Sequence, residues 1–164
     1  MFMDPAKEQM FRNYAWAYFA FHAEQRMKTF NFFLVGAGIL ATAIATLVRA
    51  GGNPLWVCPL GLLLTCLSFI FWKLDRRNRA LVKNGEAALK HLDSLLELPK
   101  LDDGPHVLKI FDRDDHYSEK MSQLSILQSH FSYTKCLEIV FALFALLGIY
   151  FAFGVFILKH NDIC

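Results

Sequence analysis

The chain has 164 residues, of which 55% are hydrophobic and 15% aromatic, with 16 Phe among them. A soluble domain of this length buries only about two thirds of its surface, too small a core for so many large apolar side chains. The composition therefore argues against a water-soluble globular protein. The net charge of +2 gives no indication of a nucleic-acid partner, because the charges are unevenly placed along the chain.

Residues 5–28 are predicted to form an interfacial amphipathic helix. Asp4 and Pro5 are a helix start, an N-cap residue followed by proline at the first helical position. Charged residues interrupt the segment too often for a membrane span, and Tyr and Trp side chains favour the membrane–water boundary. Those charges are Arg12, Glu24, Arg26 and Lys28. A soluble packing helix is the alternative.

Three uncharged stretches are predicted to cross the membrane. Thr29 to Val48 makes about 30 Å of helix, enough for the hydrocarbon core. A turn of helix-breaking residues at 49–54 ends this span. The second span is Leu55 to Trp72, with Trp56 and Trp72 at its two interfaces. The third is Ile139 to Leu158.

The distribution of Lys and Arg predicts the orientation. Positive charges cluster before the first span and behind the second, whereas the connecting turn has only Arg49 and the C-terminal tail only Lys159. Since cytoplasmic flanks carry the positive excess, the N-terminus and residues 73–135 are expected inside and the C-terminus outside. The C-terminal tail is therefore expected on the extracellular or periplasmic side of the membrane.

Residues 73–135 are predicted to form a cytoplasmic helical hairpin that extends the second and third spans. Leu74, Leu81, Ala88, Leu92 and Leu95 recur at roughly heptad spacing and continue the second span until Pro99. Residues 99–116 are polar and read as a loop, after which a helical stripe leads into the third span. The predicted organisation is therefore an N-terminal helix at 1–28, two spans at 29–72, the hairpin at 73–135 and the last span with its tail at 136–164.

The first span has a polar stripe formed by Asn31, Gly38, Thr42 and Thr46, which Arg49 continues at the outer end. Polar side chains are costly against hydrocarbon, so the stripe should face water or another helix. One interpretation is a pore wall; the other is hydrogen bonding between helices. A parallel row of Ala37, Ala41 and Ala45 is typical of close helix approach in lipid. Thr65 and Ser68 of the second span are expected to bond to carbonyls of their own helix.

Glu138, at the cytoplasmic start of the third span, is a further pore-lining candidate, since an intramembrane acid is often functional. A simple pair with Lys135, three residues earlier on the same helix face, is the alternative.

A basic cluster follows the second span and consists of Arg76, Arg77, Arg79 and Lys83. It could enforce topology by touching anionic lipid headgroups, bind the phosphates of a nucleotide or oligonucleotide, or pair with an acidic loop of a neighbouring subunit. Residue spacing does not separate these three interpretations.

No enzyme chemistry is predicted. The sequence has no HExxH, GxSxG, phosphate-binding loop or CxxC pair, and its six His are scattered. Neither a metal site nor a cofactor is expected. The four Cys lack metal-ligand spacing and are interpreted as small apolar residues within the helices.

Three stretches carry a resemblance: YFAFHAEQRMKTFNFFLV at 18–35, LDRRNRALVKNGEAAL at 74–89 and SHFSYTKCLEIVFALFALLG at 129–148. Their layout resembles the small oligomeric bacterial membrane proteins of the RipA type, and the three-span channel effectors that accompany nucleotidyltransferases in anti-phage operons, such as the Hailong system. The resemblance implies a homo-oligomer, a tetramer or an octamer, whose pore responds to a cytoplasmic ligand such as a nucleotide. It gives no ligand-binding residue that can be carried over to this chain.

Two functions from different classes follow. The first is a homo-oligomeric channel or pore-forming effector of an anti-phage system, gated by a nucleotide-type ligand or by a partner such as a nucleotidyltransferase. The second is a non-conducting membrane scaffold that recruits a partner through its cytoplasmic hairpin.

Overall fold

The computed structural model describes residues 4–51, 53–95, 109–113, 115 and 133–154, of which most are helical and none lies in a strand. Helix α1 spans Pro5–Arg49, α2 spans Pro54–Ser94, and α3 spans Tyr133–Ile149, followed by a π-helical segment at Tyr150–Gly154. All three long helices have apolar windows sufficient to cross a membrane. The predicted all-helical fold with three spans is thus confirmed.

Helix α1 begins where the sequence predicts. The Asp4 side chain accepts a hydrogen bond from the Ala6 amide at 3.2 Å, as expected of an N-cap. The helix continues without a break for 45 residues, about 68 Å at 1.5 Å per residue. The hydrocarbon core is only about 30 Å thick, so part of α1 must extend beyond it.

The connection between α1 and α2 uses two local signals. Gly51 adopts a left-handed backbone with φ of 66°, which ends α1 without the steric cost that a Cβ would bring. Asn53 then caps α2, its side-chain oxygen accepting from the Leu55 amide at 3.0 Å. Helix α2 continues past the predicted second span to Ser94, in agreement with the expected helical extension. The remainder of the predicted hairpin lies largely outside the described residues, apart from a helical turn at 110–113.

The chain forms two compact units. Unit 1 comprises residues 1–25 and 78–131, and unit 2 comprises residues 26–77 and 132–164. Among the described residues of unit 1, Ala15, Leu89 and Leu92 form a buried cluster, with Phe19 and Phe111 packed against them. The rings of Phe19 and Phe111 meet edge to face at 5.4 Å.

The core described in unit 2 is built from all three helices. Phe33 of α1 is fully buried, and its ring lies 4.7 Å from that of Phe141 in α3 and 5.6 Å from that of Phe71 in α2. The other buried members are Ala37, Ile44, Val57, Leu64 and Leu137. Many large apolar side chains of unit 2 remain exposed, Phe32 at 71% for example, and this surface requires lipid or another subunit to cover it.

Candidate functional site

The polar stripe of α1 lies on the exposed surface of unit 2. Asn31, Gly38, Thr42 and Arg49 are all exposed, and at 100° per residue they fall within about 20° of one line along the helix. Thr46, also exposed, lies about 60° to one side of that line. We call these five residues the α1 stripe. Because the stripe avoids the core of its own subunit, it is available to water or to a neighbouring chain.

The threonine hydroxyls of the stripe bond within their own helix. Thr42 donates to the Gly38 carbonyl and Thr46 donates to the Thr42 carbonyl, each at 2.8 Å. Each hydroxyl donates its single proton to this bond, while its oxygen can still accept a hydrogen bond from water or a neighbouring chain. A shallow groove runs along this part of α1 between Leu34 and Leu47. Asn31 lines a second depression with Lys28, Phe32 and Val35.

Close backbone approach occurs between α2 and α3. A Cβ placed on Gly61 would lie 2.7 Å from the Gly148 carbonyl, and a Cβ on Gly148 would lie 2.7 Å from the Gly61 carbonyl. The Thr65 hydroxyl bonds to the Gly61 carbonyl at 3.0 Å and also faces the Ala145 carbonyl of α3 at 3.4 Å. Only glycine at both positions permits this spacing.

The predicted row of small residues on α1 behaves unevenly. Ala37 is buried, Ala41 is half-buried and Ala45 is exposed, so only the first of them contributes fully to the core.

The predicted hydrogen bonds from α2 hydroxyls to carbonyls of their own helix are confirmed. Ser68 donates to the Leu64 carbonyl at 2.9 Å, and Thr65 donates to the Gly61 carbonyl.

A buried ion pair joins the three helices of unit 2, and the sequence analysis did not find it. The Arg26 guanidinium of α1 makes two bonds to the Asp75 carboxylate of α2, at 2.7 and 3.0 Å. The same guanidinium donates to the Thr134 hydroxyl of α3 at 3.4 Å and lies 5.5 Å from the centre of the Tyr133 ring. The side chains of Arg26 and Asp75 are only 11% and 5% exposed. We call this group the Arg26 clamp.

Glu138 lies apart from the α1 stripe. It is half-buried and lines a groove between α2 and α3. Thr65, Ser68, Phe69, Trp72, Phe141, Ala142 and Ala145 form the rest of this groove. The structure therefore brings Asn31, Gly38, Thr42 and Thr46 together on one helix but places Glu138 at a different surface of the same unit.

The four residues of the predicted basic cluster are exposed, and they divide between the units. In unit 2, Arg76 stacks on the Trp72 ring at 5.2 Å, and Arg77 is exposed. In unit 1, the Lys83 ammonium lies 2.7 Å from Glu86. Arg79 also belongs to unit 1.

Glu86 is the centre of an ion network in unit 1. Burial alone would raise the pKa of its carboxyl, but hydrogen bonds from Lys83 and Lys90 outweigh that effect and hold the pKa below its ordinary value. Lys90 contacts Glu86 at 2.9 Å and also bonds to Asp115. The bond to Asp115, with that to Glu86, raises the pKa of Lys90 above its usual value. The network therefore favours the charged forms of Glu86 and Lys90.

Unit 1 also contains a pocket beside its core. Arg12, Asn13, Trp16, Leu89, Asp93, Ile110 and Phe111 line it. Arg12 donates through Nη1 to Asp93 at 2.7 Å, and this bond raises the pKa of the guanidinium. The second terminal nitrogen, Nη2, is buried without a hydrogen-bond acceptor. Nη2 also lies 3.6 Å from the Glu8 carboxylate, so an aromatic ring, an amide and an ion-paired guanidinium line this cavity.

The described helices define an integral membrane protein of three spans whose α1 carries an outward-facing polar stripe. Residues 11–159 match the model of the octameric membrane protein family (8xMP), and the chain belongs to this family. It is also 37% identical over 145 residues to the protein named CD-NTase-associated protein 19 of Escherichia coli, covering 88% of this chain and 89% of that relative. No solved structure matches the chain.

The family match confirms the predicted self-associating membrane protein. Of the two assemblies expected, tetramer and octamer, the family description gives the octamer.

Proposed function

We propose that the chain is a homo-oligomeric membrane channel, a pore-forming effector of a bacterial anti-phage system that is gated by a cytoplasmic nucleotide-type ligand or partner. The observation that carries this proposal is the α1 stripe, a line of polar residues on the outer surface of a membrane-spanning helix. In an eightfold ring, one such helix from each subunit can surround a central path. The family description supports the ring, and the α1 stripe supplies its polar wall.

The link to defence comes from the relative. Its name associates it with a CD-NTase, and that association is proposed here for this chain. The resemblance to the channel effectors of the Hailong type points to the same class of system. The proposed orientation in the inner membrane has the N-terminus and residues 73–135 in the cytoplasm, where a nucleotide product would be present. The chain itself is proposed to have no enzymatic activity or cofactor.

Two kinds of group among the described residues are candidates for contact with the gating ligand. The exposed cations, Arg76 and Arg77 in unit 2 and Arg79 and Lys83 in unit 1, each suit phosphate, although Lys83 already pairs with Glu86. The pocket of unit 1 suits a nucleobase, because Trp16 offers a stacking face and the Asn13 side-chain amide can donate hydrogen bonds. Lipid headgroups remain an alternative contact for the basic cluster.

Ion flux from liposomes tests conduction. The purified octamer is reconstituted with a trapped ion-sensitive dye, and flux is followed with and without added nucleotides or CD-NTase products. Thr42→Leu and Asn31→Leu should reduce flux, because each places an apolar side chain on the polar wall. Ile39→Leu is the matched control, since Ile39 is 65% exposed on the same helix and already apolar. A wild-type protein that never leaks under any ligand would exclude the channel.

One observation favours a second candidate, a non-conducting membrane scaffold that recruits a partner. The Thr42 and Thr46 hydroxyls have internal acceptors, so the α1 stripe can also pack against a neighbouring helix without water. For a scaffold, no flux is expected from any variant, and Thr42→Leu should alter only the assembly of the octamer. Size-exclusion chromatography beside the flux assay separates the two functions.

A further inference from the structure

We infer that the pore passes small inorganic anions in preference to cations, selected by a ring of Arg49 side chains. This inference rests on the proposed channel and adds to it the charge of the permeating ion. In unit 2, the charged residue on the line of the α1 stripe is Arg49, which is basic.

Arg49 lies on the stripe by helix geometry. It is the last residue of α1 and follows Asn31 by five turns of 3.6 residues, so the two share one face. Its side chain is exposed. Gly51, with its left-handed backbone, turns the chain immediately afterwards. Eight subunits thus place eight guanidinium groups at one end of the proposed path.

The helix dipole does not cancel this charge. The C-terminus of α1 carries about half a negative elementary charge, whereas the guanidinium carries a full positive one. Each subunit therefore contributes a net positive charge at this end of α1.

The acids described in unit 2 lie away from the stripe. Asp75 is 5% exposed and already paired with Arg26. Glu138 lines the groove between α2 and α3. Lys28, near the other end of the stripe beside Asn31, is basic as well. Rings of Arg or Lys favour anions in pores, as rings of Asp or Glu favour cations.

Reversal potentials in planar bilayers test this inference. With a KCl gradient across the membrane, the current through the wild-type octamer should reverse at a potential that has the sign of the chloride equilibrium potential. Arg49→Lys should keep that sign, Arg49→Gln should move the reversal potential toward zero, and Arg49→Glu should change its sign. The preference should also weaken as the salt concentration rises, because the Debye length falls from about 10 Å at 0.1 M to about 3 Å at 1 M.

Lys73→Glu is the matched control. Lys73 is an exposed cation of the same unit, but it lies on α2 over the Trp72 ring at 5.3 Å. The same change of charge there should leave the reversal potential unchanged. Each variant is first shown to elute as the wild-type octamer. Anion selection would be overturned, with the channel left intact, if the wild-type reversal potential had the sign of the potassium equilibrium potential. It would also be overturned if the reversal potential of Arg49→Glu kept the wild-type sign. A wild-type protein without currents would remove the channel itself.

Discussion

The Arg26 clamp predicts a strongly non-additive response to mutation. Asp75→Leu would leave the Arg26 guanidinium buried without its counter-charge, and Arg26→Met would do the same to the Asp75 carboxylate. Both side chains are nearly buried, at 11% and 5% exposure. Removing one partner of a buried pair typically costs about 3–5 kcal/mol, because the remaining charge is uncompensated. Each single variant should therefore be strongly destabilised.

The double variant Arg26→Met, Asp75→Leu should recover most of the lost stability. It removes both charges together, and replacing a buried pair with apolar side chains is often neutral or stabilising, by about 1–4 kcal/mol. The free energy of unfolding is measured by titrating SDS into detergent-solubilised octamer, with helix content followed by far-UV circular dichroism.

A matched control for the clamp is the pair of Lys83 and Glu86, in which the lysine is 57% exposed. Lys83→Met should cost no more than about 1 kcal/mol, because the lysine is exposed and the more buried Glu86 keeps its ion pair with Lys90. The reasoning would be refuted if either clamp single variant unfolded at the wild-type SDS concentration. A double variant as unstable as the sum of its two single variants would also refute it.

Two further predictions concern packing and charge. Gly148→Ala should cost about 1–3 kcal/mol in the same titration, because its Cβ would lie 2.7 Å from the Gly61 carbonyl, whereas Gly38→Ala, with nothing within 4 Å, should be tolerated. Glu86 has a pKa below its ordinary value of 4.5, so its contribution to stability is complete above that pH and is lost as the pH falls through the lowered pKa. As the pH is lowered from neutral to below 4.5, the SDS concentration at the unfolding midpoint should therefore fall less steeply for Glu86→Gln than for the wild type. Equal dependence of the two midpoints on pH would contradict this.

The three spans could be predicted because each depends on a local property of the sequence. Long uncharged stretches, the Asp4 cap and the breakers near Gly51 act within a few residues, and the helices begin or end where those signals lie. The α1 stripe was predicted for the same reason, since helix periodicity alone places its members on one face. Only the structure shows that those residues face away from the core of their own subunit.

The Arg26 clamp could not be predicted in this way, because it joins residues from three distant segments. Arg26 was interpreted only as one of the charges that interrupt residues 5–28 and precede the first span. One signal was present in the sequence: Asp75 is a lone acid in a run of basic residues between Lys73 and Arg79. An acid in that position favours a specific partner, but periodicity does not say which of the many cations it is.

The contact between Gly61 and Gly148 links the evolution of positions on two helices. Thr65 completes this contact through its hydroxyl, so the three residues determine a single distance between helix axes. A relative that acquires a side chain at position 148 must move the helices apart, and it then no longer requires glycine at position 61. Among divergent members of the family, these positions should therefore change together rather than singly.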